Sequence, residues 1–391
     1  MEKVRLGIIG FGNMGTIHSK NITSGKTPKV ELAALCDIDA DKRAKFESTY
    51  PGIPTFADAE DMYKSGLIDA VLIAVPHYDH PPLAIKAFSY GLHVLTEKPA
   101  GVYTKQVLEM NEAAKKSGKV FGIMYNQRTK PVFQKVKEMY ESGQLGKIKR
   151  ISWTITHWYR PQAYHDSGAW RSTWATEGGG TLINQNPHQL DLWQWMFGMP
   201  SKIMSFCKFG KYYDIEVEDE VVAYMEYDNG ITGTYITSTG EAPGHNLLEI
   251  ACDMGKLTVE NDEKLTFHRN VVSEREHNAK LTVNDNVFAF PECWKCEIPI
   301  HGEATHHSGI LNDYAEVILG NKENLLAPGY EGINGLTISN AIHYSTWTGK
   351  WADCKNFPHD EFYGLLQEKI ANSTYVKKEV KAKASDLSGT Y

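Results

Sequence analysis

The 391-residue chain is 42% apolar and 23% charged, the balance of a globular protein with room for two domains, and this excludes a single small binding module. Its 41 basic and 48 acidic side chains leave a formal net charge of −7, and the one Lys-rich stretch (Lys377, Lys378, Lys381, Lys383) is mixed, so nucleic acid and anionic membrane are poor partners. Met1-Glu2-Lys3-Val4 runs straight into an apolar strand without a cleavage-site pattern, and no stretch approaches the ~20 apolar residues of a membrane span, which points to a cytoplasmic protein.

In chain order, the first 126 residues alternate β-branched runs with helical patterns, the signature of a parallel sheet covered by helices. The strands read Val4–Gly10, Val30–Cys36, Ala70–Pro76, Leu92–Thr96 and Val120–Tyr125. Past Arg128 the texture changes to longer strands rich in Trp, Tyr and Thr: Ile151–Trp158, Ile203–Tyr213, Val221–Tyr227 and Ile231–Ser238. Turn signals such as Asp228-Asn229-Gly230 join them, which predicts an antiparallel sheet and a second domain over residues 127–379. Residues 380–391 read as a polar tail.

Gly10-Phe11-Gly12-Asn13-Met14-Gly15 follows the first strand and opens a helix, the context in which GxGxxG carries weight. Gly10 permits the tight turn, Gly12 lets backbone N–H groups approach a pyrophosphate, and Gly15 lets the helix pack against the strand. The second strand ends at Asp37, 37 − 15 = 22 residues past the last glycine, close to the ~20 expected of a carboxylate that bonds the adenosine ribose. That carboxylate repels a 2′-phosphate, and Ile38-Asp39 supplies no cation to compensate. With Arg43 expected a helical turn away on the solvent face, the cofactor reads as NAD rather than NADP.

Two further strands end at Val75-Pro76 and at Thr96-Glu97-Lys98-Pro99, where the carboxyl ends of a doubly wound sheet line the ligand crevice. Desolvation and a nearby positive nicotinamide would push the Lys98 pKa toward useful acid–base values. Glu97 would point the other way, which suits it to positioning rather than chemistry. The Lys98–Pro99 bond is a candidate cis peptide.

The glycine turn, the Asp37 strand end, the run from Pro76 through His80 to His93-Val94-Leu95-Thr96-Glu97-Lys98-Pro99, Asn126-Gln127-Arg128, and Gly178-Gly179-Gly180 followed by His188 and Asp191 together resemble the Gfo/Idh/MocA oxidoreductase family. The resemblance implies an α/β protein: an N-terminal Rossmann dinucleotide-binding domain and a C-terminal α/β domain with an open, mostly antiparallel sheet through which homo-oligomers form. It implies hydride transfer between nicotinamide and a sugar, polyol or similar molecule, with Lys98 and His188 as the reactive pair. Val75, Pro76, His80, Glu97, Lys98 and Asn126 join the glycine turn and Asp37 as implied cofactor contacts, and Arg128 as a substrate contact. Where inositol dehydrogenase-like members carry an aspartate four residues before the histidine, this chain has Asn184, so a carboxylate for His188 would come from Asp191 or elsewhere.

Two helix registers suit this segment. A continuous helix puts Asn184, His188, Asp191 and Trp195 on one face, whereas a start with Asn186 as N-cap, Pro187 at the first position and Gln189 three past the cap accommodates the proline. Between the domains lies a loop dense in aromatic and polar groups: His157-Trp158-Tyr159-Arg160, Tyr164-His165-Asp166 and Trp170-Arg171. Aromatic faces stack on sugar C–H faces while Arg, His and Asp bond hydroxyls, so His157, Tyr159, Tyr164, Trp170 and Arg171 are candidate substrate contacts beside Asn184 and His188. His306 and His307 read as a helix start. Six scattered cysteines suit a reducing compartment, and Cys293-Trp294-Lys295-Cys296 lacks a second CxxC for a zinc site, so no metal is expected.

The reading is an NAD-dependent dehydrogenase acting on a secondary hydroxyl of a sugar ring, glycoside or cyclitol, with Lys98 or His188 as base. The segment Gly178–Trp195 is similar to the branch that oxidises the 3-hydroxyl of glucosides. Two alternatives are a glycosidase that retains NAD and works by transient oxidation and elimination, and a non-catalytic regulator sensing dinucleotide.

Overall fold

The computed structural model describes residues 2–377, so the polar tail lies outside the described residues. The first sheet is built from β1 (Val4–Ile9), β2 (Val30–Cys36), β3 (Thr55–Phe56), β4 (Ala70–Ile73), β5 (His93–Thr96) and β6 (Phe121–Ile123). All pairs are parallel, in the order β3-β2-β1-β4-β5-β6. These strands are apolar and buried on both faces, as Ala70–Ile73 and Val94–Leu95 illustrate, because helices cover both sides. The order reverses between β1 and β4, and their carboxyl ends open the crevice in which sheets of this kind bind ligands.

The second sheet comprises β7 (Ile148–Ile155), β8 (Lys202–Phe209), β9 (Glu218–Glu226), β10 (Thr232–Ser238), β11 (Asn246–Cys252), β12 (Gly255–Glu260), β13 (Lys264–Asn270), β14 (Cys293–Ile298) and β15 (Ala352–Asp353). Among the described residues its order is β14-β13-β12-β11-β7-β10-β9-β8-β15, antiparallel except for β7 with β10. Strands β11 to β15 were not read from the sequence. The predicted Ile203–Tyr213 strand stops at Phe209 because Gly210 turns there with φ +56°. One face of the sheet is buried under the helices Pro187–Phe197 and Gly332–Thr348, so Val221, Ala223 and Met225 are inaccessible while Val222 and Tyr224 on the other face are exposed.

Packing does not divide cleanly at residue 126. The helix His306–Ile318 sends Ile310, Leu311 and Tyr314 into the core of the first sheet, and Pro328 bridges Gly122, so the chain returns to its N-terminal half. Cys293 and Cys296 lie on β14, where positions three apart face opposite sides, so this CxxC holds no shared metal or disulfide geometry. No cluster of three or more metal-ligating side chains occurs among the described residues. No helix among them is long and apolar enough to cross a membrane.

Candidate active site

The glycine turn is forced by its neighbours at two positions. A Cβ on Gly10, which has φ +95°, would lie 2.4 Å from the Ala74 carbonyl, and one on Gly15 would lie 1.9 Å from the Gly10 carbonyl. Gly12 has nothing within 4 Å, so the N-terminus of the helix Asn13–Thr23, which no side chain caps, faces open space. That space fits a pyrophosphate. Asp37 ties the turn to β2: Oδ2 accepts from Phe11 N–H at 2.7 Å and Oδ1 from Asp39 N–H at 2.9 Å. Phe11 is itself buried edge-on against Phe46, so its side chain anchors the turn from below. The surroundings of Asp37 differ from expectation. Arg43 does not sit on the solvent face: its guanidinium donates to the Asp37 and Ile38 carbonyls at 2.7 and 3.1 Å, and Lys42 Nζ lies 3.8 Å from the carboxylate.

Two implied cofactor contacts, His80 and Glu97, are turned to protein partners instead. His80 is fully buried, with ring nitrogens 2.8 Å from the Val75 and Pro99 carbonyls, so it staples the Pro76 turn to the turn at Lys98 instead of reaching a ligand. Glu97 points away from the cleft toward His18 Nε2 at 2.7 Å, and its other oxygen accepts from the Lys98 N–H. Although burial would raise its pKa, the His18 bond holds the carboxyl down at about 2. Asn126 is wholly buried, and neither atom of its amide finds a partner among the described residues. The Lys98–Pro99 peptide is cis.

Lys98 leaves the end of β5 and donates from Nζ to the backbone carbonyl of Asn184 at 2.7 Å, which brings the two halves of the chain together. Desolvation pushes its pKa down to about 8, with Arg171 and Arg160 pushing the same way and Glu97 and Glu177 opposing. His188 sits in the first turn of the helix Pro187–Phe197, 3% exposed, and both ring nitrogens lack a partner among the described residues. Burial, reinforced by Lys98, His307 and Lys130, pushes its pKa well below the ordinary value, so the imidazole is neutral at pH 7.

The helix register with Pro187 at its first position is the one observed, without the expected cap. The Asn186 amide donates instead to Thr181 and Thr237 hydroxyls and accepts from Tyr235, and Gln189 makes no reciprocal bond. Asp191 does not serve His188. It accepts Arg128 Nε at 2.8 Å and Nη2 at 2.6 Å in a fully buried bidentate pair, and Glu331 takes Nη1 at 2.7 Å. Arg128 is therefore a structural strut rather than the substrate contact implied by resemblance: at 1% exposure its guanidinium has no face to offer.

In the loop, Arg171 lies 4.4 Å from the Tyr164 ring centre and 4.5 Å from Trp170, and donates to the Tyr164 hydroxyl at 2.6 Å. Arg160 covers Tyr164 and Trp158, which extends an alternating stack of guanidinium and aromatic groups. Trp170 reaches His77 of the dinucleotide half with ring centres 5.2 Å apart. Tyr159 is 44% exposed and sits beside Tyr213. His157 stacks on Trp158 near the Lys130–Asp262 ion pair.

Sequence reading missed three groups here. Glu177 is a buried carboxyl bonded to the Asn184 amide and the Ser172 N–H. His307, beyond starting a helix, packs its ring 5.4 Å from His18 and lies close enough to His188 to help lower that ring's pKa, while burial, with His18 and Lys98 adding to it, pushes its own down to about 4. Lys377 donates to the carbonyls of His165 and Arg171 and so clips the loop from the C-terminal side.

A family model for oxidoreductases with an NAD-binding Rossmann fold matches residues 4–125, and a GFO/IDH/MocA C-terminal domain model matches residues 133–258. The rhizopine catabolism protein MocA of Rhizobium meliloti is 29% identical over 198 residues, 51% of this chain and 58% of that protein. Inositol 2-dehydrogenase of Corynebacterium glutamicum is 26% identical over 236 residues, 59% and 65% of the two chains. This chain thus spans less than two thirds of either relative. Among solved structures, the WlbA dehydrogenase of Bordetella pertussis in complex with NADH and UDP-GlcNAcA superposes with a TM-score of 0.75 at 24% identity, over 90% of this chain and 98% of that one. Levoglucosan dehydrogenase in complex with NADH and levoglucosan gives 0.73 at 19%, over 90% and 99%. At these identities the structural likeness is one of fold, and it is the two family models that decide membership: the chain belongs to the Gfo/Idh/MocA family of oxidoreductases, with an NAD-binding Rossmann domain.

Proposed function

We propose that the protein is an NAD-dependent dehydrogenase, acting in the cytoplasm, that oxidises a secondary ring hydroxyl of a sugar, a glycoside (the 3-position included) or a cyclitol to the ketone. The observation that carries this reading is the meeting of Lys98 Nζ with the Asn184 carbonyl, four residues before a buried histidine whose ring nitrogens both lack a partner among the described residues. Relatives named as inositol dehydrogenases agree with it.

The Gly10–Gly15 turn and Asp37 would hold NAD, which when bound supplies the hydride acceptor. Lys98, with a pKa near the operating pH, is the better base, whereas burial makes His188 a weak one. Lys98 takes the hydroxyl proton, and neutral His188 hydrogen-bonds the same oxygen and fixes its orientation. Base catalysis of this kind contributes ~10²–10⁴-fold. Arg171, stacked between Tyr164 and Trp170, presents N–H donors for neighbouring hydroxyls, and the aromatic rings take the C–H face of the ring.

The exposed face of the second sheet, with Phe206 at 67% exposure beside Val222 and Tyr224, is the surface through which copies of the chain would associate. Light scattering of the wild type and of Phe206→Arg tests that association. For the activity, the test is a panel of glycosides, free sugars and inositols with NAD, followed by NADH absorbance and by mass and NMR of the product. Absence of NADH across the panel would remove the dehydrogenase reading.

A further inference from the structure

Of the carboxyl groups buried around the cleft, Glu97 is taken by His18 and Asp191 by Arg128. Glu177 is engaged differently. It is 3% exposed, one carboxylate oxygen accepts from the Ser172 N–H, and the other accepts from the Asn184 side-chain amide. The backbone carbonyl of the same asparagine is the acceptor for Lys98 Nζ. Its own backbone is pinned as well, since the Glu177 carbonyl accepts from His77 Nδ1 at 3.0 Å. A cap for the turn at Ser172 needs one oxygen, and the second is spent on the residue that anchors the lysine.

The charged groups around this carboxylate come from separate elements: Lys98 from the end of β5, Arg171 from the loop, Lys377 from the C-terminal segment and Glu218 from β9. Glu218 is itself occupied by the Gly180 and Leu182 N–H groups at 2.9 Å and by His343 at 3.0 Å. Burial pushes the Glu177 carboxyl up, while Arg171, the Asn184 amide and the Ser172 N–H pull it back.

We propose that Glu177 is the positioning residue of the reactive lysine: through the Asn184 amide it keeps the Asn184 carbonyl aimed at Nζ, and it supplies the negative charge against which the Lys98 ammonium forms. This role rests on Lys98 acting as the base. When the substrate O–H bond breaks, the proton forms an N–H bond on Lys98, and the Glu177 carboxylate takes up none.

The first measurement needs no substrate. Acetylation of Lys98 by acetic anhydride is followed by peptide mass spectrometry from pH 6.5 to 9.5. Glu177→Gln keeps the size but removes the charge that favours the ammonium, so the labelling midpoint falls by about half a unit to one unit, and labelling at pH 7 quickens about three- to tenfold. Asn184→Asp sets two carboxyls against each other; kcat falls about tenfold or more while KM holds. The double variant E177Q/N184D reverses donor and acceptor and restores the pair, bringing kcat back to within about threefold of wild type. An unchanged labelling profile in E177Q, or a double variant no better than N184D alone, overturns the role. A wild type that oxidises no hydroxyl while the E177Q midpoint still shifts would remove the dehydrogenase reading and uphold the coupling of Glu177 to Lys98.

Discussion

Lys98 and Asn184 are 86 positions apart in the chain, yet the ammonium of one donates to the backbone carbonyl of the other at 2.7 Å. Burying that ammonium is costly, as its pKa near 8 against the ordinary 10.5 records. The folded pKa lies below the unfolded one, so between about pH 8 and 10.5 the unfolded chain binds more protons and stability rises with pH. Below pH 8 the full penalty is present. Lys98→Met is therefore expected to stabilise the protein at pH 7 by about 1–3 kcal/mol while slowing oxidation ~10²–10⁴-fold. Urea melts at pH 7 and 10, with NADH production alongside, check both arms. In the wild type kcat/KM should rise with pH and level off above about 8, and a flat profile from pH 6.5 to 9 would count against Lys98 as the base.

His188 has a ring buried without a partner among the described residues, a cost that a purely structural histidine would have been spared. His188→Asn should lower kcat on the order of 10²-fold and leave NADH binding, measured by fluorescence, within about twofold of wild type. Full turnover in this variant would assign the ring to packing.

Arg128 and Asp191 form a buried pair in which each satisfies the other's charge. Removing Arg128 strands the Asp191 carboxylate, whereas Arg128 keeps Glu331 when Asp191 is lost, so Arg128→Met should destabilise by about 3–5 kcal/mol, and Arg128→Met/Asp191→Leu together by less. Denaturant midpoints of the two variants decide the matter. A double variant as unstable as the single would show that packing, not charge, dominates.

Asp37, the proposed reader of the ribose, bonds the glycine turn with Lys42 and Arg43 beside it. Asp37→Ala should narrow the preference for NAD over NADP by at least about tenfold, since a repelling charge goes while two cations stay. Unchanged discrimination in parallel titrations of the two cofactors would remove Asp37 as the reader of the ribose.

Lys377 holds the His165 and Arg171 carbonyls, so its loss frees the loop that carries Tyr164 and Arg171. Lys377→Ala should raise KM several-fold with little change in kcat and speed proteolysis between residues 160 and 172, while Lys377→Arg restores both. Equal cleavage rates in wild type and K377A would show that the clip does not hold the loop.

How far the site was legible follows from how local each signal is. The glycine turn, the Asp37 spacing and the strand end at Lys98 each lie within one strand–turn–helix unit, and all three stand where the pattern put them. His80 had the right neighbourhood but the wrong role, because a ring between Val75 and Pro99 carbonyls is visible only once two turns are folded together. The later strands β11 to β14 were missed: their alternation is interrupted by polar residues that a half-exposed sheet tolerates.

By itself the amino-acid order determined the two-domain plan, the dinucleotide turn and the strand end that carries Lys98, since backbone geometry at glycines and strand ends is dictated by nearest neighbours. Only the tertiary structure decided which charges pair. Arg128 meets Asp191 across 63 positions and Lys98 meets the Asn184 carbonyl across 86, and no periodicity encodes such partners. Burial then set the state of each group, locking the Arg128 guanidinium into a strut and lowering the pKa of the Lys98 amine and of the His188 imidazole.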